Sequence, residues 1–116
     1  MKNPDRVRVL KAAEDLAVEV YRATADFPKD ERFGLVSQMR RAAVSIGSNI
    51  AEGCGLQGDK AYLASVHRSL GEAYELAFQI RLSKRLAFGS PSVLEALTGS
   101  TTSVCKMLTS LISALR

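Results

Sequence analysis

Arg32, Arg40, Arg41, Arg68, Arg81, Lys84 and Arg85 are the side chains best suited to chemistry in this sequence, and that chemistry is the holding of phosphates. Arg81, Lys84 and Arg85 stand at positions i, i+3 and i+4, so a helix through them gathers three cations on one face. The same three residues also complement the dipole of a helix that ends nearby, with no ligand at all. Arg40 and Arg41 are adjacent, point in different directions on a helix, and offer either phosphate contacts or an internal pair with Glu52 or Glu72. A second set is uncharged or short: Gln38, Ser45, Asn49 and Glu52 stack along one helical face. Short hydrogen-bonding groups of this kind suit a partly buried interface with a neighbouring helix, a second subunit or a protein partner.

Other chemistries lack their parts. His67 is the single histidine, and no Glu precedes a His by three residues, so the carboxylate-bridged metal site of helical bundles is not built. Glu72 and Glu75 alone make a poor metal site. No serine or cysteine lies in a nucleophile motif. The glycine-bearing run from Gly53 to Gly58 lacks the Lys-Ser/Thr ending and the preceding strand of a phosphate-binding loop, and reads as a turn between helices. Cys54 and Cys105 stand alone and far apart, which points to free thiols in a reducing cytosol. No catalytic residue, metal or cofactor is assigned, and an interaction protein is expected rather than an enzyme.

Four helices position these residues. The first runs from Pro4 to about Ala25, with Pro where its missing N–H does no harm and Val7, Leu10, Ala13 or Ala17, Val20 and Tyr21 facing inward. Phe27-Pro28 ends it. The second begins near Lys29 or Asp30, where acidic Asp30 and Glu31 complement the dipole. It runs to about Cys54 with Val36, Met39, Ala43, Ile46 and Ile50 on its apolar stripe. The third opens with Asp59 as cap, carries Leu63, Val66, Leu70, Ala73, Ala77 and Ile80, and ends near Ala87. The fourth starts with Ser90 before Pro91 and places Leu94, Leu97, Thr101, Val104, Leu108, Leu111 and Leu115 on one seam. Four amphipathic segments joined by short turns pack as an all-α, antiparallel up-down-up-down four-helix bundle.

Composition agrees. The 116 residues are one domain's worth, 47% hydrophobic and 24% charged, with 6% aromatic residues and no Trp. No stretch of about twenty apolar residues is available to cross a bilayer, and no secretory signal is apparent, so a cytoplasmic protein with no membrane partner is expected. The net charge of +4 is concentrated in the middle: residues 29–89 hold nine basic and six acidic groups, against five of each in residues 1–28. A single copy would bind nucleic acid weakly, and an oligomer would multiply the effect. The last helix bears Thr98, Ser100, Thr102, Ser103, Thr109, Ser110 and Ser113 where soluble helices usually carry Lys and Glu. Such a surface suits contact with another subunit, although water satisfies it equally well.

The run Pro28…Glu31-Arg32-Phe33-Gly34-Leu35…Gln38…Arg40-Arg41-Ala42-Ala43…Ser45-Ile46…Asn49-Ile50-Ala51-Glu52-Gly53, followed by Ser69-Leu70-Gly71-Glu72, resembles the four-helix bundle family encoded in intervening sequences of bacterial 23S rRNA genes. The resemblance implies a protomer that assembles into a homopentameric ring, with an undetermined role linked to nucleic acid. Accessory proteins of diversity-generating retroelements look like distant relatives that bind nucleic acid and a reverse transcriptase. The chain departs from the family pattern at Gly47, where Pro is common, at Leu56, where a basic residue is common, and at Arg68, which replaces a Gly. Two readings of function follow: a homo-oligomeric scaffold that binds RNA or DNA through the seven basic residues, or a protein-binding module that docks a partner on the Gln38-Ser45-Asn49-Glu52 face.

Overall fold

The structure is a computed structural model that describes residues 4–55 and 58–116. Met1–Asn3 and the Leu56–Gln57 part of the glycine-bearing turn lie outside the described residues. Among the described residues four helices follow one another: α1 (Pro4–Thr24), α2 (Leu35–Cys54), α3 (Asp59–Arg85) and α4 (Pro91–Leu115), with a 3-10 turn at Lys29–Glu31 between the first two. Each helix packs against its two neighbours in a closed cycle, α1 on α2, α2 on α3, α3 on α4 and α4 on α1. Side-chain contacts give the directions. Arg40 reaches Tyr21 and Thr24, Ser69 reaches Ile46 and Ser83 reaches Met39, and Ser100 reaches Glu19. Neighbouring helices are antiparallel, giving an all-α bundle 43 Å long.

The stripes expected on α2 and α4 form the core. Val36, Met39, Ala43, Ile46 and Ile50 are buried, and so are Leu94, Leu97, Thr101, Val104, Leu108 and Leu111, while Leu115 is only half-buried. On α1 the face is turned from the expected one. Val9 and Leu16 are buried alongside Ala13 and Val20, whereas Val7 and Tyr21 are exposed. Val7 and Val9 lie on opposite sides of the first turn, so only one of them can face inward, and apolar character alone does not choose. On α3 the correction is larger. Val66, Ala73 and Ile80 are buried as expected, but Leu63, Leu70 and Ala77 sit at the margin, and Tyr62, Ser65, Ser69, Leu76, Gln79 and Ser83 are buried in their place.

Those serines are tolerable because each hydroxyl has a partner or a small footprint. Ser69 Oγ donates to the Ile46 carbonyl at 2.8 Å, and Ser83 Oγ donates to the Gln79 carbonyl at 2.8 Å. Small side chains let α2 and α3 approach closely. A Cβ on Gly53 would stand 2.8 Å from Ser65 Cβ and 2.9 Å from the Tyr62 ring. On α4, Thr98, Thr101 and Thr109 donate to the carbonyls of Leu94, Leu97 and Cys105 four residues back. Part of the hydroxyl-rich surface therefore finds its partners within the same helix.

Two expected helix starts move. The 3-10 turn at Lys29–Glu31 does not continue into α2, which begins at Leu35 after Gly34. Glu31 Oε1 folds across Gly34 to accept the Leu35 N–H at 3.0 Å, and a Cβ at Gly34 would stand 2.8 Å from that oxygen. Glu31 thus caps the helix from outside it. Asp59 is the first residue of α3 rather than its cap, a place taken by Gly58 at φ 86°. It lies 3.9 Å from Arg6, whose guanidinium also sits 4.0 Å above the Tyr62 ring. Ser90 caps α4 as expected, accepting the Val93 N–H. Helix α3 stops at Arg85 through a left-handed Ala87 (φ 58°), with Phe88 N–H donating to Ser83 and Ala87 N–H to Lys84. The Phe88 ring then packs at a tilt against Phe27, centroids 5.6 Å apart, and ties that end of the bundle together.

Gly53→Ala is expected to lower unfolding free energy by about 1–2 kcal/mol, because the added methyl overpacks the α2–α3 crossing. Gly47→Ala, whose Cβ would meet nothing nearer than Ala13 at 3.6 Å, is expected to raise it by about 0.5–1 kcal/mol. Urea denaturation of the two variants measures both.

Candidate nucleic-acid interface

The seven basic residues divide by what the fold does with them. Arg40 is half-buried between α1 and α2: its Nε donates to Thr24 Oγ1 at 2.9 Å, an Nη donates to the Tyr21 carbonyl at 3.2 Å, and the guanidinium lies 4.5 Å above the Tyr21 ring. Thr24 is itself held, donating to the Val20 carbonyl at 2.7 Å. Arg32 stands on the turn that Gly34 terminates, with its guanidinium 4.9 Å from the Phe33 ring centroid. Phe33 is 87% exposed. Together with Arg41, Val36, Ser37 and Val44 these residues line a shallow groove of about 480 Å³ at the α1–α2 corner. Three of the candidate arginines are thereby brought to one place.

Arg68 belongs to a different place, the seam between α2 and α3. Its Nε donates to Asn49 Oδ1 at 3.2 Å and an Nη donates to Ser65 Oγ at 2.9 Å. The same guanidinium lies 3.8 Å from a Glu52 oxygen. Asn49 completes the set by donating to the Ser45 carbonyl at 2.8 Å. Ser45, Asn49 and Glu52, expected as one polar face, do line one seam, and Arg68 is the cation that closes over it. Gln38 is exposed at the other end of the face.

Further along the seam, Glu72 is half-buried beside Glu75 and Arg41. Burial pushes the Glu72 carboxyl above its ordinary value of 4.5, hydrogen bonding with Glu75 and that residue's charge push it the same way, and Arg41 opposes them. One Glu72 oxygen is buried without a partner, as is the amide oxygen of Gln79.

At the end of α3, Lys84 pairs with Glu95 of α4 at 3.0 Å, while Arg81 and Arg85 are exposed. The i, i+3, i+4 cluster is thus split, with one member engaged and two open to solvent. Among the described residues, Arg32, Arg41, Arg81 and Arg85 take part in no ion pair. The outer face of α3 also carries His67, Tyr74 and Phe78, the last two 58% and 57% exposed. Phe33, Tyr74 and Phe78 are exposed aromatic residues to which the sequence alone assigns no site role, and Tyr21 is nearly half exposed where an inward position is expected. The available signal was Phe33 lodged between Arg32 and Gly34 in a turn, and Tyr74 and Phe78 opposite the buried stripe. Cys54 is exposed, Cys105 is half-buried with its thiol pushed up by burial, and both are free. The described residues include no group of His, Cys, Asp and Glu that would hold a metal ion, and no helix long and apolar enough to cross a membrane.

Because Glu72 holds its proton more tightly folded than unfolded, its contribution to stability is full below the unfolded value and is lost as pH rises through the higher folded one. Glu72→Gln is expected to remove that loss. Urea melts of both proteins across the acidic to neutral range should show the wild type falling relative to the variant as pH rises.

The solved structure of a protein with unknown function from the S23 ribosomal protein family of Bacteroides thetaiotaomicron is similar in fold, with a TM-score of 0.83 and 23% identity over 94% of this chain and 98% of that one. No curated protein matches the chain. The sequence pattern that defines the 23S rRNA-intervening sequence protein family matches residues 5–110, and the chain belongs to that family.

Proposed function

We propose that this protein is a non-enzymatic, homo-oligomeric scaffold that binds RNA or DNA through its basic surface. The observation that carries the reading is the gathering of Arg32, Arg40 and Arg41 on one groove, with Arg81 and Arg85 exposed on α3 and none of the five in an ion pair among the described residues. Arg32, Arg81 and Arg85, which have no acidic partner among the described residues, and Arg41, which faces only the carboxyl of Glu72, are available to displace counterions from a phosphate backbone. One copy offers few such contacts, and repetition around a ring multiplies them.

Two faces support assembly. Tyr74 and Phe78 form an aromatic ridge on the outer side of α3. Across the bundle, Leu10, Ala17, Val44, Gly47, Ser48 and Ala51 line a shallow apolar groove between α1 and α2. A ridge on one side and a groove on the other make a head-to-tail contact, which closes into a ring when the rotation permits. The family resemblance sets five as the expected number of copies. The Gln38-Ser45-Asn49-Glu52 face is less suited to a protein partner, since Arg68 of the same chain already occupies Asn49 and Glu52.

Light scattering coupled to size exclusion, read at two wavelengths, is expected to give a pentamer with co-purifying nucleic acid. Phe78→Asp, on an exposed position, is expected to yield a folded monomer by the same measurement. Affinity for a labelled RNA is expected to fall steeply between about 50 and 200 mM salt, and to fall several-fold when Arg81 and Arg85 are both changed to Ala. A wild-type monomer that ignores RNA at low salt would end the proposal.

A further inference from the structure

We propose that the α1–α2 corner takes a single-stranded segment of nucleic acid, with an unpaired base stacked on Phe33 and its flanking phosphates on Arg32 and Arg41. This rests on the reading that the chain binds nucleic acid, and it adds which form of nucleic acid and which residues.

The argument starts from Phe33. A phenylalanine that is 87% exposed gives up nearly all the benefit of burial. Its neighbours show how it is held there: Gly34 breaks the chain direction, and Glu31 folds across Gly34 to cap α2, so residues 32 and 33 project outward together. The one ring contact it makes among the described residues is with the Arg32 guanidinium. A second aromatic, Tyr21, is nearly half exposed on the same groove, and Arg40 lies across its ring. Cations and flat apolar rings therefore alternate along one corner, over an apolar floor of Val36 and Val44.

This combination separates two classes of nucleic acid. A duplex presents phosphates outward and keeps its bases stacked on one another, so it has use for Arg32 and Arg41 but none for Phe33. An unpaired strand exposes base faces, and every base offers one to an aromatic ring whatever the sequence. Arg40 helps by being fixed: its bonds to Thr24 and the Tyr21 carbonyl hold its charge at the groove before any ligand arrives. Asp30 in the adjoining turn and Glu72 beside Arg41 are the competing charges, while Glu31 is turned toward the Leu35 N–H.

The test uses the absence of tryptophan. Phe33→Trp places a single indole at the corner of the whole protein, and Phe33 is exposed enough for the exchange to leave the core untouched. The fluorescence of this variant is measured against a mixed-sequence single strand of about 15 nucleotides, near the upper site size of single-strand binders, and against the same sequence as a duplex. In parallel, anisotropy with the labelled oligonucleotides gives affinities for wild type, Phe33→Ala and Arg32→Ala/Arg41→Ala. The proposal expects quenching by the single strand, preference for it over duplex of about tenfold, and a loss of about tenfold on Phe33→Ala that Phe33→Trp does not share. The double arginine variant should weaken both forms and flatten the salt dependence. Salt-dependent binding equal for both forms, with no quenching and no effect of Phe33→Ala, would overturn the stacking site while leaving the phosphate-binding reading intact. No binding of either form would overturn both.

Discussion

The close approach of α2 to α3 is the constraint from which the rest of this structure follows. Helix α3 buries Ser65, Ser69, Ala73 and Ser83 between its larger core residues Tyr62, Val66, Leu76 and Ile80. Small side chains bring the two backbones near enough that Gly53 has no room for a methyl group and the Ser69 hydroxyl can reach the carbonyl of Ile46. A buried hydroxyl without such a partner would cost about 1–3 kcal/mol, so the short distance is what makes a serine-lined helix compatible with a core. Turning that polar stripe inward has a second effect. It leaves Tyr74 and Phe78 outside, opposite the buried serines, where both are more than half exposed.

Electrostatics at the margins is sorted by the same packing. Arg68 is drawn over the α2–α3 seam and Lys84 is met by Glu95 across the α3–α4 boundary. Both pairs are exposed on at least one side, and surface pairs of this kind are worth about 0–1 kcal/mol. Arg40 is different, since it uses neutral partners on α1 and the face of Tyr21. Its role in joining α1 to α2 and its position on the groove do not conflict, because the guanidinium keeps N–H groups beyond those two bonds.

The groove at the α1–α2 corner exists because α2 starts late. Had the helix run on from Lys29, Arg32 and Phe33 would be successive helical positions pointing in different directions. The 3-10 turn and Gly34 instead put them side by side at a protruding bend. Phe27 against Phe88 anchors the preceding segment to the far end of α3, so the bend stands on a fixed base. The features that could recognise a ligand are thus consequences of where one helix ends and the next begins.

The number of helices, their order, the stripes of α2 and α4 and the Ser90-Pro91 start were all legible in the sequence, because regular apolar spacing and local capping chemistry act within one or two turns of chain. The polar set Ser45, Asn49 and Glu52 was legible as a face for the same reason. What occupied it was not, since Arg68 arrives from another helix. The rotation of α1 and α3 about their axes was decided only by the assembled bundle: Val7 and Val9 are near-equal choices locally, and Ser69 is buried ahead of the more apolar Leu70 because its small side chain fits the neighbouring helix and reaches the Ile46 carbonyl. The same holds for the late start of α2, where the acidic pair Asp30 and Glu31 satisfies a dipole as well on a helix as beside one. Periodicity fixes which residues share a side, and only close packing against a partner fixes which side is inside.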